Sequence, residues 1–345
     1  MQQEIRFATF NLLNLGPVGA KLYDNLDPCT EAQFEAKLNW TARQIDLLDA
    51  DVIGFQEIFS QDVLKLVLAR TSKYRDAIHV GFDNERDSPH GDRAGDHAGE
   101  RPTPAVALVS RLPLAGAALC YTTFPEGVAM PAGSRDADRF ARPVLHAQVM
   151  ASPDLIIDVL VVHLKSKRPD YRTGDTSEDS LLYALACLRS LVRRGTEAVA
   201  LRVLLSNLHR SGKSAGAGGS ISARPRVVLG DFNDVADAVT TGIVIGAGAP
   251  LGERLFDAYQ LQRRPDYLGH VGFSSMHDGQ YTTIDHILVS EEFNADLPNA
   301  IGEVVDVIYL NDHLVLGVPE ASDHGQVLAR IRLFDVADRL IDAGR

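Results

Sequence analysis

Cysteine is scarce: Cys29, Cys120 and Cys187 are the only three in 345 residues, a scattered odd set without CxxC spacing. That excludes a disulfide framework, suggests no thiolate zinc site and fits a reducing compartment. Long apolar runs are also missing, and the amino-terminal MQQEIRFATFN lacks the basic-then-apolar pattern of a secretory leader. The expectation is a cytoplasmic protein, or a secreted one if a leader was removed, with no stable membrane association. Positive charge is short too: 34 Lys+Arg face 46 Asp+Glu, for a net charge of -12. A protein gripping nucleic acid through a general basic surface is thereby disfavoured, since phosphate contacts need Lys and Arg. A locally cationic cleft in an acidic protein remains open.

What is present suits an ordinary globular chain, 45% hydrophobic and 23% charged, with enough apolar residues for one large domain or two. Strands and helices are mixed, without repeats. Glu31 to Leu48 carries Phe34, Leu38, Thr41, Ile45 and Leu48 at helical spacing, with Trp40 read as core. Ser60 to Arg70 reads as a second helix capped by Ser60. A third begins near Ser177 and is predicted to end at Arg193, Arg194 and Gly195, after which Thr196 restarts a helix to about Arg210. Residues 83–104 and 211–225 read as exposed irregular loops. The GKS at Gly212 to Ser214 fails as a phosphate loop, because Asn207 stands where the glycine is needed and a helix precedes it.

The stretch RVVLGDFNDV, residues 226–235, poses the chemical question. Val227, Val228 and Leu229 are apolar enough for a strand buried on both faces, yet the run delivers Asp231, Asn233 and Asp234, and a buried carboxylate needs a partner. Other runs behave alike. IRFATFN ends at Asn11, DVIGFQE at Gln56 and Glu57, and LIIDVLVVH at His163, while TIDHILVS begins a strand with Asp285 and ASDHGQVLARIRL places Asp323 and His324 before the last one. Singly, each acidic residue reads as a turn former. Jointly they supply oxygen donors without cysteine, the set that suits magnesium or manganese rather than structural zinc.

The combination of TFNLLNL, DVIGFQEI, VVHLKSK, VVLGDFND, IDHILVS and SDHG, in this order between residues 9 and 325, resembles the endonuclease/exonuclease/phosphatase superfamily. Its members include deoxyribonuclease I, abasic-site endonucleases, neutral sphingomyelinases and inositol polyphosphate 5-phosphatases. The resemblance implies one domain over residues 1–345 with an α/β (α+β) fold: a four-layered sandwich of two packed mixed β-sheets flanked by helices, the site at one rim.

The resemblance also implies roles. Glu57 would be the principal ligand of Mg2+ or Mn2+, with Asn11 nearby and Asp323 a further ligand; calcium would enter as a structural ion. Asp231 would position or deprotonate the attacking water, and Asn233 would hold a phosphate oxygen. His324, oriented by Asp285, would hydrogen-bond the phosphate. His163 would contact the scissile phosphate or assist the leaving group. Glu100 matches a carboxylate that orients this histidine, and Arg142, in FARPVL, is placed to meet a phosphate. His90 and His97 read as members of a solvated loop, and alternation points His286 away from the site.

The HLKSK form looks most like bacterial nucleases and related phosphodiesterases. The inositol 5-phosphatase signature is absent: Leu229 precedes Gly230, and Ile284, Asp285 and His286 stand where Cys-Asp-Arg would. The implied activity is metal-dependent phosphodiester hydrolysis by a monomer, with nucleic acid as the favoured substrate. A sphingomyelinase-like or small-molecule phosphodiesterase is the enzymatic alternative, and a catalytically dead binding module the alternative of another class.

Overall fold

Runs of β-branched and aliphatic residues broken by turn formers become strands, and the amphipathic segments between them become helices. The computed structural model describes residues 3–23, 25–84, 102–131, 138–214, 224–250, 252–262, 272–277 and 279–334. In chain order the strands are β1 (Glu4–Leu15), β2 (Val52–Ile58), β3 (Ile78–Gly81), β4 (Ala105–Ser110), β5 (Leu119–Thr123), β6 (Arg139–Ser152) and β7 (Leu155–His163). There follow β8 (Arg226–Asp231), β9 (Leu255–Asp257), β10 (Ser275–His277), β11 (Gln280–Thr282), β12 (Asp285–Ser290), β13 (Gly302–Leu310) and β14 (Gln326–Leu333). The helices are α1 (Glu31–Leu48), α2 (Gln61–Leu68), α3 (Ser180–Ser214), α4 (Val239–Ile245), α5 (Ala258–Leu261) and α6 (Asp312–Leu316).

Two six-stranded sheets form, ordered β13-β14-β1-β2-β4-β3 and β5-β6-β7-β8-β12-β9, with β10 and β11 a separate hairpin. Each sheet is mixed, with one parallel pair at its centre: β1 with β2, and β7 with β8. Parallel neighbours end at the same edge, so the carboxy ends of all four strands supply one rim. Alternation sorts the side chains into three apolar layers. Phe7, Val52, Val159, Val227 and Ile287 fill the space between the sheets. Phe10, Ile53 and Phe55 pack against α1 and α2 on one outer face, and Leu160, Val228 and Leu288 pack under α3 and α4 on the other. The result is the four-layered α/β sandwich that the resemblance implies. The two sheets touch closely at Gly54, where an added Cβ would lie 2.9 Å from Leu229 Cβ and 3.1 Å from Val161.

Helix α1 has the predicted bounds and is opened by a capping box between Thr30 and Gln33. Trp40 is core, edge-on to Phe10. Helix α2 also forms, but the hydroxyl of Ser60 makes no capping bond; Asp83 instead accepts from the Gln61 N–H.

The predicted break at Gly195 is overturned: α3 runs unbroken from Ser180 to Ser214, so residues 211–214 of the predicted loop belong to the helix. A glycine inside a helix costs about 1 kcal/mol relative to alanine. Burial of Ala198, Leu201, Leu204 and Leu205 on the same helix outweighs that several times over. The start is set by Asp179, whose carboxylate accepts from the N–H groups of Leu181 and Leu182. Among the described residues no helix is long and apolar enough to cross a membrane.

Candidate active site

Register assembles half the site. Across the second sheet His163 lies opposite Asp231, and Asp231 opposite Asp285. All three follow the inner-facing sequence of their strands, which is why a row of polar groups ends a row of valines, leucines and isoleucines. His286, one residue out of phase, faces the helices and bonds Asp257 Oδ2 and the Asp234 carbonyl at 2.9 Å each.

The first sheet contributes Asn11 by the same alternation, but Glu57 by a departure from it. Val52, Gly54 and Gln56 form the inner series, so regular alternation would send Glu57 outward. The pairing of β2 with β4 shifts register between Phe55 and Ile58, and Glu57 itself takes a left-handed backbone with φ 59°. Strand β1 bulges in step, with Leu13 and Asn14 also left-handed. Non-glycine residues in that region cost on the order of 1–3 kcal/mol, and such strain gathers at working sites. Asn233, at φ 53°, is a further case in the site.

The groups converge. Asn11 Nδ2 reaches Asp231 Oδ2 at 3.1 Å, Glu57 Oε1 at 3.5 Å and His324 Nε2 at 3.4 Å, while its oxygen accepts from the Leu13 N–H. Asn11 therefore presents nitrogen to the carboxylates in this arrangement and orients them. Glu57 Oε2 accepts the Asn14 N–H at 3.0 Å. Asp231 accepts the Asn233 N–H at 2.7 Å and stands 3.4 Å from His163 Nε2. Asn233 donates one amide N–H to the Leu164 carbonyl at 2.9 Å, and its second has no partner among the described residues. Asp323 sits at the mouth, its side chain 62% exposed and 3.8 Å from His324 Nε2.

Three supports for His324 are completed by contacts that the sequence does not display. Ser322 accepts from the His324 N–H and donates to the Asn11 carbonyl. His313 Nε2 donates to the His324 carbonyl, and Trp40 lies edge-on to His313. Ser274 accepts the Asp285 N–H while its own carbonyl takes the Gly325 N–H. Serine hydroxyls are too common to be singled out without that context.

Electrostatics follow from burial. Asp231 is pushed up to about 7, first by desolvation, then by Asp285 and Glu57, against the pull of His324 and the Asn233 N–H. Burial opposes charging His324, yet Asp285 and Asp231 outweigh it and hold the ring well above the usual histidine range. Burial and then Arg142, His324 and Lys165 push His163 well below that range, so it is neutral at pH 7. Its Nδ1 is buried without a hydrogen-bond partner among the described residues. Glu100, proposed to orient it, lies outside the described residues, as do His90 and His97.

Among the described residues, Asp231, Asp285 and His324 form a grouping of metal-capable side chains, with ligand atoms within 4.8 Å of one another. Glu57 adjoins it through Asn11. Asp285 Oδ1 is buried without a partner among the described residues. Three carboxylates against one imidazolium leave the cluster short of positive charge, and their hard oxygens fit a divalent cation.

The profile of the Endonuclease/Exonuclease/phosphatase family matches residues 8–324. No curated protein sequence matches the chain. Among solved structures, an endonuclease/exonuclease/phosphatase from Bacteroides vulgatus is similar with a TM-score of 0.56 at 17% identity, over 96% of this chain and 100% of that one. The human Nocturnin catalytic domain follows with a TM-score of 0.55 at 14% identity, over 96% and 98% of the two chains. A mannosyl-6-phosphatase from Bacteroides thetaiotaomicron gives 0.52 at 17% identity, over 95% and 99%. Identities this low speak for the shared fold, whereas the profile spans nearly every segment that builds the rim. The chain belongs to the endonuclease/exonuclease/phosphatase family.

Proposed function

We propose that the chain is a divalent-metal-dependent phosphodiesterase, and specifically a nuclease, acting by in-line attack of water. Phosphoester hydrolysis is the chemistry common to the family. The observation that carries the finer reading is the row His163, Asp231 and Asp285 in one register line, with His324 and Glu57 closing over it.

Each group has a task that its surroundings support. Asp231, ionised once a cation offsets the carboxylates around it, takes a proton from water. The charged His324 ring keeps Nδ1 on Asp285 and offers Nε2–H to a non-bridging phosphate oxygen. The free N–H of Asn233 serves a second such oxygen. Neutral His163 contacts the phosphate or the departing oxygen. Glu57, with Asp231 and Asp285 beside it, would hold magnesium or manganese; Asp323 is near enough to the mouth to join. The cation, when bound, supplies positive charge where the transition state gathers negative charge.

The test is hydrolysis of plasmid, single-stranded DNA, RNA, bis-p-nitrophenyl phosphate and sphingomyelin, with magnesium or manganese and with chelator. Metal-dependent cleavage of nucleic acid is expected. Turnover indifferent to chelation, or none on any phosphodiester, overturns the reading.

A further inference from the structure

Helix α3 is apolar on two opposite sides. Ala198, Leu201, Leu204 and Leu205 are buried in the layer over the second sheet. Leu181, Leu185, Leu188, Leu191 and Val199 are exposed, three of them strongly: Leu181 at 67%, Leu188 at 52% and Leu191 at 50%. At 3.6 residues per turn, Leu181, Leu188 and Val199 lie within about 20° of one line, with Leu185 and Leu191 flanking it. That line runs opposite the buried side. From 181 to 199 the outward arc holds leucine, valine, alanine and glycine and no charged residue, over about 27 Å of helix. A helix that is apolar all round is one that is covered all round, and a soluble protein rarely leaves so continuous a strip to water.

The strip is complementary to itself. In a two-fold contact the same surface serves both copies, so a residue and its opposite number must fit in both directions. Two strips laid antiparallel about an axis level with residue 190 set Leu181 against Val199, Leu185 against Gly195 and Leu188 against Val192. Gly195 is an open notch, since an added Cβ there would meet nothing within 4 Å beyond its own turn. The branched end of Leu185 fills such a notch, which gives this glycine a use that sets against its cost in the helix.

Charge fixes the orientation. Glu178 and Asp179 are exposed at the amino end of the strip, and Arg202 and the exposed Arg210 follow its carboxy end. Arg202 donates to the carbonyls of Val244 and Glu253, and its ion pair with Glu253 Oε2 is a long 4.0 Å. The antiparallel arrangement brings Glu178 level with Arg202 and opposes the two helix dipoles, whereas parallel copies would set like charges together. A lipid surface fits less well: interfacial helices carry Lys and Arg beside the apolar face, while here the leading end is acidic and the chain has a net charge of -12.

We propose that the outward face of α3, from Leu181 to Val199, is the contact between two copies of this chain, packed antiparallel with Leu185 of each in the Gly195 notch of the other. The protein in solution is then a two-fold dimer, not the monomer that the resemblance implies. A strip of this length belongs at the small end of specific interfaces, so the dimer should form in the micromolar range. On its other side the same stretch of α3 holds the segment that leaves His163, because Arg189 and Ser190 donate to the carbonyls of Asp170 and Arg168. The contact is independent of the phosphodiesterase reading.

Sedimentation equilibrium of the full chain is the test. The mass should rise with concentration from 37.5 kDa to twice that value. Leu188→Asp sets two carboxylates close to the axis and should weaken association about thirtyfold or more. Because the position is exposed, the melting temperature of this variant should match that of the parent at concentrations where both are monomeric. Leu185→Asp, at a second exposed position, takes its place if that protein fails to fold. Orientation is read by mixing Leu181→Cys with Val199→Cys under mild oxidation. A disulfide joining residues 181 and 199, found by peptide mass mapping and given by neither variant alone, is expected. A parent that stays at 37.5 kDa up to about 100 µM, a dimer that survives both aspartate substitutions, or cross-links only between like positions overturns the proposal. So does a monomeric parent that binds vesicles of equimolar phosphatidylcholine and phosphatidylglycerol and loses them on Leu188→Asp, which would give the face to a membrane.

Discussion

His324 Nδ1 stands 2.8 Å from Asp285 Oδ2, and this bond decides what the opposite ring nitrogen can do. With Nδ1–H committed to a carboxylate, Nε2 carries the proton that faces Asp231 at 3.9 Å and the space where a phosphate oxygen would sit. Asp285→Asn keeps the size but removes the charge that sustains the imidazolium. Turnover should fall by about a hundredfold to ten-thousandfold. In NMR titration the His324 ring should deprotonate at distinctly lower pH than in the parent. An unchanged titration would show that Asp285 does not govern the ring.

Glu57 owes its place in the site to a bulge and a left-handed backbone, an outlay that folding alone does not reward. Glu57→Gln should weaken magnesium and manganese binding by at least about tenfold, with little change in melting temperature. Calorimetric titration with both metals measures the first, and a thermal scan the second. Unaltered affinity removes Glu57 from the metal site.

Asp231 and His324 act on the same transition state in the proposed mechanism. Asp231→Asn and His324→Ala should each remove most activity, and the double variant should be far less impaired than the product of the two losses. Strictly multiplicative losses in a kinetic double-mutant cycle would mean two independent sites.

The raised Asp231 carboxyl links metal binding to protons. Without metal it is largely protonated below about pH 7, because burial and the charges of Asp285 and Glu57 disfavour ionisation. A cation favours the ionised form, so binding should release a proton and affinity should climb as pH rises through about 7. The stability of the metal-free protein runs the other way. The folded state holds this proton more tightly than the unfolded chain, so stability is lost between the ordinary aspartate range and about pH 7. Calorimetry in buffers of different ionisation enthalpy, at pH 6 and pH 8, detects the released proton; pH-independent affinity would contradict the linkage.

Gly54 sets the distance between the sheets. Gly54→Ala drives a Cβ to 2.9 Å from Leu229 Cβ, between the strands that carry Glu57 and Asp231. Overpacking of this kind costs about 1–3 kcal/mol, and the denaturation midpoint should fall accordingly. Metal affinity should fall with it, since the two sheets that carry the carboxylates are moved apart. A variant as stable as the parent would mean that the sheets separate freely.

Much of the fold and half of the site can be read from residue patterns, and the boundary between legible and illegible is physical. Val227, Leu229 and Asp231 share a face because a strand repeats every two residues, and the same rule aims His163, Asp285 and Asn11 inward and His286 outward. Glu57 breaks that rule. Its motif is recognisable by resemblance, but periodicity alone assigns it to the wrong face, since nothing local marks a bulge. The unbroken α3 was hidden for a related reason: Gly195 is a strong local stop signal, overruled by the burial of residues two turns further on and by Glu197 and Arg194. Ser322 sits two residues before His324 but is fixed by the distant Asn11 carbonyl, and Ser274 and His313 reach Asp285 and His324 across intervening turns, so no spacing points to them.

The register line from His163 through Asp231 to Asp285 makes catalysis a witness to correct assembly. A one-residue slip of β8 between its neighbours would turn every side chain over, trading Asp231 for Gly230 or Phe232 on the inner face. Such a molecule could remain compact and keep its helices while having no carboxylate at the rim of β8. In a refolding experiment, the recovered activity per folded chain would therefore count the fraction of molecules whose central strands closed in phase, a quantity that circular dichroism cannot see.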